Sequence, residues 1–144
     1  MRILTPETDE DFARYFDLRW RILRAPWGQP RGSERDALDD TSWHRMACLS
    51  GRIPVGVVRL QFNTPSQAQL RYMAVEPACR RRGVGAALAA ALEQTARLQG
   101  AVEIVLDARD EAVGFYRRMG YEVVGPAHTL YGSIHHQAMR KRLE

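Results

Sequence analysis

Residues 79–88 read Cys79-Arg80-Arg81-Arg82-Gly83-Val84-Gly85-Ala86-Ala87-Leu88. Three arginines and two glycines crowd together here, and the chain then runs into an alanine-rich segment with helical spacing. A mostly apolar, strand-like run precedes them. The first four N–H groups of a helix lack internal partners and carry the positive end of its dipole. Gly83 and Gly85 remove side chains, so an anion can approach those N–H groups closely. The arginines add charge-assisted bonds suited to phosphate oxygens. The stretch reads as a cradle for a pyrophosphate or a similar anion.

Two further readings compete at this point. Gly83-x-Gly85 after a strand, with Asp107 closing the next strand about twenty residues on, outlines a dinucleotide-binding turn. The third glycine of that motif is Leu88 here, where close helix–strand packing asks for a small residue. The unit also follows three antiparallel-looking strands instead of opening a doubly wound sheet. The remaining reading is a basic loop that begins a helix and holds no ligand.

Working outward, residues 1–4 form a short strand. Thr8, with Asp11 three residues on, is a capping-box-like helix start. Phe12, Tyr15, Phe16, Arg19, Ile22 and Leu23 then recur at helical spacing until Pro26 and Gly28. The turn-rich segment that follows carries a short helix beginning at Ser33. Strands are predicted over residues 43–49, 53–62 and 68–75, with connections short enough for antiparallel neighbours. A helix over 85–99, burying Val84, Leu88, Ala91, Leu92, Thr95 and Leu98, ends at Gly100 as its C′ residue. A strand over 102–106 completes a parallel crossover. A helix from Asp110 to Gly120 and strands over 121–124 and 130–140 finish the chain.

Composition narrows the class. The length of 144 residues suits one domain with its own core, and 45% hydrophobic with 26% charged residues is ordinary globular usage. No apolar run approaches a membrane span and the N-terminal stretch lacks a signal-peptide core, which points to a cytoplasmic address without membrane partners. Two cysteines, Cys48 and Cys79, fit a reducing compartment. The net charge is +4, yet Glu34, Asp36, Asp39 and Asp40 cluster, and no aromatic-interleaved basic stripe marks a nucleic-acid surface. A small polyanion accounts for the excess equally well.

Arg80-x-x-Gly83-x-Gly85, preceded by Leu70-Arg71-Tyr72-Met73-Ala74-Val75-Glu76-Pro77, resembles the acetyl-coenzyme A signature of the GNAT acyltransferase superfamily. A second signature of that superfamily is matched by Ala112-x-x-Phe115-Tyr116-x-x-x-Gly120-Tyr121, and the element order matches over essentially the whole chain. Residues 19–40 further resemble a bacterial subgroup that includes the N-terminal domain of two-domain acetyltransferase/thioesterase-like proteins. The resemblance implies an α/β fold in a single domain over residues 1–144. Its central sheet would be mixed, mostly antiparallel, of about seven strands with a splayed parallel pair, and flanked by helices on both faces.

The same resemblance implies an acetyl-CoA-dependent N-acyltransferase without a metal, acting on a small-molecule amine or a protein lysine; it allows a homodimer. Met73, Ala74 and Val75 would offer backbone groups to the pantetheine arm in the gap of the splayed pair. Arg80, Arg81, Arg82, Gly83, Val84, Gly85 and Ala86 would hold the pyrophosphate. A backbone N–H near Val75 would polarise the thioester carbonyl as the amine attacks it directly. Tyr116 would protonate the leaving thiolate; a phenol near pKa ~10 is protonated at neutral pH. Spacing alone makes Tyr116 a core aromatic beside Phe115 and Met119.

The base is less well marked. Some members of the superfamily use a glutamate on the fourth strand, but here that strand reads QAQLRYMAV and holds no acid. The acids of SERDALDD, His44 and His135 are the candidates. His135 and His136 alternate faces on a strand, so they do not form a two-histidine metal site. Glu34 and Asp36 read either as part of a solvated short helix or as a carboxylate wall that recruits a cationic acceptor. A different function class also fits the loop, namely a CoA-binding sensor or partner module with little catalysis.

Overall fold

A computed structural model describes residues 1–144. The strands are β1 (Arg2–Leu4), β2 (Trp43–Cys48), β3 (Pro54–Thr64), β4 (Gln67–Val75), β5 (Glu103–Arg109), β6 (Glu122–Leu130) and β7 (Ile134–Arg142). The helices are α1 (Asp9–Leu23), α2 (Val84–Leu98) and α3 (Val113–Arg118). All seven strands join one sheet in the order β1-β2-β3-β4-β5-β7-β6. Every neighbouring pair is antiparallel except β4–β5. No helix is long and apolar enough to cross a membrane.

Strand alternation sends successive side chains to opposite faces, and the core accordingly falls into two clusters. On one face Ala47, Val58, Leu60, Leu70, Ile104, Leu106 and Ala108 meet Val84, Leu88, Ala89, Leu92 and Ala96 of α2. On the other, Met46, Cys48, Val57 and Ala74 meet Tyr15, Phe16 and Leu18 of α1. Fully burying leucines such as Leu88 and Leu92 contributes roughly 1.5–3 kcal/mol each.

α1 begins as its sequence requires: Thr8 Oγ1 accepts from the Asp11 N–H at 3.0 Å, and the Asp11 carboxylate accepts from the Thr8 N–H. The stripe of α2 is rotated from the expected one. Ala89, Glu93 and Ala96 are buried, whereas Leu98 is 74% exposed. Glu93 turns inward because Tyr121 donates to it at 2.9 Å and Lys141 pairs with it at 2.8 Å, tying α2 to the end of the chain.

Three expected boundaries move. The short helix after α1 starts at Ala37, not Ser33, and is a 3-10 turn with Asp36 as its cap. The helix expected from Asp110 begins as a 3-10 turn over Asp110–Ala112 and continues as α3. β6 runs to Leu130, through Gly125 and Pro126 that read as breakers. It is an edge strand, where proline need not donate to a ladder. Register shifts near Gly125 and after Pro126 absorb the irregularity.

Gly56 on β3 sets how closely α2 can lie. A Cβ there would stand 2.7 Å from Val84 Cγ1 and 3.0 Å from Leu88 Cδ1. Gly56→Val should therefore push the first turn of α2 off the sheet and lower stability by about 1–3 kcal/mol. Urea denaturation measures this, and an unchanged midpoint would show that α2 is not held by that contact.

Candidate active site

The parallel ladder between β4 and β5 stops early. Gln67, Ala68 and Gln69 pair with Glu103, Ile104 and Val105, and the strands then diverge. The divergence coincides with an irregularity in β4. Val57 pairs with Ala74 but Arg59 with Arg71, so β4 carries one extra residue there. Tyr72 within this bulge has φ +59°, in the left-handed region. From Leu70 onward the β4 edge facing β5 has no ladder partner, and the gap opens into a cavity. Its walls include Tyr72, Met73, Leu106, Arg109, Tyr116 and His136.

On the α2 side lies the arginine loop. Gly83 is the N-cap of α2 with φ +80° and no side chain caps the helix, which leaves its first-turn N–H groups open. Arg81 is also left-handed, at φ +62°. Arg80, Arg81, Arg82 and Gly83 are exposed, Val84 is buried, and Gly85 and Ala86 are half-buried. The two glycines do different work. A Cβ on Gly83 would meet nothing within 4 Å, so its requirement is conformational. One on Gly85 would stand 3.2 Å from the Phe115 ring and 3.3 Å from Met73 Sδ, so its requirement is space. Ala74 is buried in its ladder with Val57, while Met73 and Val75 are half-buried.

Tyr116 joins the loop to the gap. Its ring packs edge-on against Phe115 and Tyr121 at 4.9 and 5.7 Å, which is the core role its spacing allowed. Its hydroxyl, however, reaches the cavity wall, where its partner is the weak acceptor Met73 Sδ at 3.6 Å. Burial pushes the phenol up to about 12, so it stays protonated through the neutral range.

The opposite face holds a buried ionic network. Arg19 and Arg59 are fully buried. Arg19 donates to Asp39 at 2.9 Å and to the Glu34 carbonyl at 3.2 Å; Arg59 donates to Asp36 at 2.6 Å and to Asp39 at 3.0 Å. The hydrogen bond from Arg59 holds Asp36 down at about 2. The Asp36 carboxylate also accepts from the Tyr72 hydroxyl at 3.1 Å. The Tyr72 ring in turn lies 4.6–4.7 Å from the guanidinium carbons of Arg19, Arg59 and Arg71. Glu34 is buried and its carboxylate accepts from the Gly32 N–H at 2.8 Å. Glu34 is turned onto its own loop and Asp36 is paired with Arg59, so neither stands as a free carboxylate toward a cation. Asp36 nevertheless remains exposed and caps the short 3-10 helix.

The candidate bases separate in the same way. His44 is enclosed between Tyr15, 2.8 Å from its Nδ1, and the Asp39 carbonyl, 2.8 Å from its Nε2. His135 bonds Thr129 and lies outside the cavity wall, in the neighbouring depression around Trp27. Sequence reasoning passed over His136, which does line the cavity. Its Nδ1 lies 3.0 and 3.2 Å from the Ile134 and His128 carbonyls, which accept only, so Nδ1 carries the proton. The lone pair is then on Nε2, which makes no hydrogen bond and is not sealed from solvent. Burial, and to a lesser degree the stacked His128 ring 4.4 Å away, lower its pKa below the usual 6.5. Arg109, which pairs with His136 across the ladder, was missed as well. The signal for both is positional: they are polar residues where β5 and β7 reach the gap.

A model of the acetyltransferase (GNAT) family matches residues 12–121. The chain is 29% identical to the uncharacterized N-acetyltransferase YjcF of Bacillus subtilis, over 98% of this chain and 99% of that one. Its fold is similar to the crystal structure of a Lactobacillus plantarum protein assigned as an N-acetyltransferase. That likeness has TM-score 0.87 and 22% identity, covering 99% and 98% of the two chains. It is also similar to an aminoglycoside 6'-N-acetyltransferase complexed with coenzyme A, with TM-score 0.78 and 18% identity over 99% and 97%.

Gly83→Ala should strain the loop, since a left-handed non-glycine residue costs about 1–2 kcal/mol. With open space around that Cβ, the fold should persist while the arginines and the α2 N–H groups lose their common aim. Calorimetry with coenzyme A should show binding weakened about tenfold; unchanged affinity would remove Gly83 from the cradle.

Proposed function

This chain belongs to the acetyltransferase (GNAT) family, and on that premise we propose that it moves an acetyl group from acetyl-CoA to a primary amine. The amine attacks directly, with both substrates bound together. The observation that carries the reading is the three-pair ladder of β4 and β5. It leaves an unpartnered strand edge between the open N-terminus of α2 and the Tyr116 hydroxyl.

The residues fit the coenzyme. Met73, Ala74 and Val75 lie on the unpartnered edge and would bind the pantetheine amides as an added strand does. Arg80, Arg81 and Arg82, with the backbone from Gly83 to Ala86, would hold the pyrophosphate. Acetyl-CoA supplies the activated acyl group as a thioester. An N–H near Val75 would take up the charge that grows on the carbonyl oxygen.

Two protons must move. A primary amine is protonated at neutral pH and attacks only as the free base. His136 Nε2 would accept that proton, because its Nδ1 proton is held by backbone carbonyls and burial favours the neutral ring. Tyr116 would give its proton to the departing sulfur, a better acceptor than the Met73 thioether it faces. The two groups lie on opposite sides of the gap. Tyr116 packs with the α2-facing cluster, whereas His136 pairs with Arg109, which alternation turns to the other face. The reaction would run between them.

Within the family, we place the chain nearest the bacterial subgroup that includes the N-terminal domain of two-domain acetyltransferase/thioesterase-like proteins. The sequence of residues 19–40, which resembles that subgroup's, supports this. A cytoplasmic location belongs to the same reading.

Tyr116→Phe should lower turnover about 10²-fold or more and leave coenzyme A affinity nearly unchanged, because the hydroxyl matters mainly once charge builds on sulfur. Thiol-release kinetics beside calorimetry separate the two, and equal turnover would return Tyr116 to core packing alone.

His136→Gln should lower kcat/KM near neutral pH and move its acid limb up toward the pKa of the amine itself, because only amine already in the free-base form can then react. In the parent, activity should fall as pH drops through the lowered His136 pKa, below about 6.5. His128 and Arg109 add to the lowering by burial, so they move that limb further down in pH and do not reverse its sign. A limb unchanged in position and height in His136→Gln would assign the base elsewhere.

A further inference from the structure

The charge that faces the acceptor side of the cavity is not what the acidic segment led one to expect. Asp36 and Asp39 are matched by Arg19 and Arg59, and Glu34 is turned onto its own loop. The charged side chains remaining on the cavity wall are Arg24, Arg71 and Arg109 against Asp107, with His128 and His136 between them. Asp107 lies 3.6 Å from His128, and Arg71 reaches Asp36 only at 3.9 Å. Arg24 donates only to backbone carbonyls, those of Ser33 and Leu23. Arg109 is half-buried and forms neither an ion pair nor a side-chain hydrogen bond.

A half-buried guanidinium without a protein acceptor is partly desolvated while its nitrogens stay within reach of water, so an anion bound there would replace hydration that burial has thinned. Burial lowers its pKa most, and the nearby Arg24 and Arg80 add to this against an opposing pull from Glu111. A planar fork of this kind matches a carboxylate or a phosphate with two parallel bonds. Its position says which substrate would bring that group. Leu106 and Ala108 belong to the cluster under α2, so alternation turns Asp107 and Arg109 to the other face of the sheet. Arg109 also pairs directly with His136, the group placed to receive the amine's proton.

We propose that the amine acceptor of this site also carries an anionic group, a carboxylate or a phosphate, and that Arg109, flanked by Arg24 and Arg71, binds it. The proposal rests on the transferase reading and names its substrate class. An acceptor held by its acid end at Arg109 brings its amine toward His136 Nε2 and the gap. A purely cationic acceptor such as a polyamine meets three guanidiniums instead and is repelled.

The test uses matched pairs of acceptors, amino acids against their carboxamides and an aminoalkyl phosphate against the corresponding amino alcohol. Thiol release from acetyl-CoA gives kcat/KM. Calorimetry of the N-acetylated members with CoA-loaded protein gives binding without turnover. The acid member should be favoured about tenfold or more in both. Arg109→Gln should erase that preference while leaving coenzyme A affinity unchanged, and Arg109→Lys, which keeps the charge but not the fork, should retain part of it. Carboxamides and alcohols used as well as the acids would overturn the proposal. So would an Arg109→Gln variant that loses coenzyme A affinity and keeps the acid preference, since Arg109 would then serve the coenzyme's phosphates. If no amine releases thiol, the transferase reading fails, and calorimetry still decides whether Arg109 selects an acid.

Discussion

The rest of the site depends on one interruption: the parallel pairing of β4 with β5 stops after Gln69 and Val105. Buried backbone groups need partners, and a strand edge left open in mid-sheet is a standing demand for an added strand. Here the demand is local, because β3 continues to pair with β4 as far as Val75 and β7 with β5 as far as Arg109. The opening is therefore a slot with rigid walls. A helix N-terminus stands on one side of it and a row of polar side chains on the other.

The strand edge beside the slot is held by a buried ionic arrangement. The bulge in β4 holds Tyr72 in a left-handed conformation that a bulky residue adopts only when its surroundings compel it. Asp36 grips its hydroxyl, and guanidinium groups of Arg19, Arg59 and Arg71 lie around its ring. Removing one member of such a buried network leaves uncompensated charge, a loss of about 3–5 kcal/mol. The segment after α1 thus shapes the gap through Tyr72, without needing to touch a substrate.

Much of this was legible in the sequence where local rules suffice. The Thr8 cap, the strand–loop–helix at Gly83 and the parallel crossover followed from periodicity, capping and glycine placement. β6 was cut short because Gly125 and Pro126 signal a break, and only the sheet order reveals an edge strand that tolerates them. The acids of residues 34–40 looked solvated or substrate-facing because their partners, Arg19 and Arg59, lie on α1 and β3. Arg59 sits among Val57, Val58 and Leu60, where nothing local shows that it pairs with the acids of residues 36–39. His136 and Arg109 were missed for a related reason, since their meaning comes from the β5–β7 register. Gly56 gave no signal until α2 was seen lying on it.

The central claim is that the slot between β4 and β5 receives coenzyme A, with the α2 N-terminus binding its pyrophosphate. Amide hydrogen exchange with and without coenzyme A tests it most directly, because the open edge and the open helix turn are backbone groups that a ligand must cover. Exchange should slow over residues 70–75 and 82–86 when coenzyme A is present, with little change in β1 and β2. Binding that leaves those two segments unprotected, or protects a surface elsewhere, would contradict it.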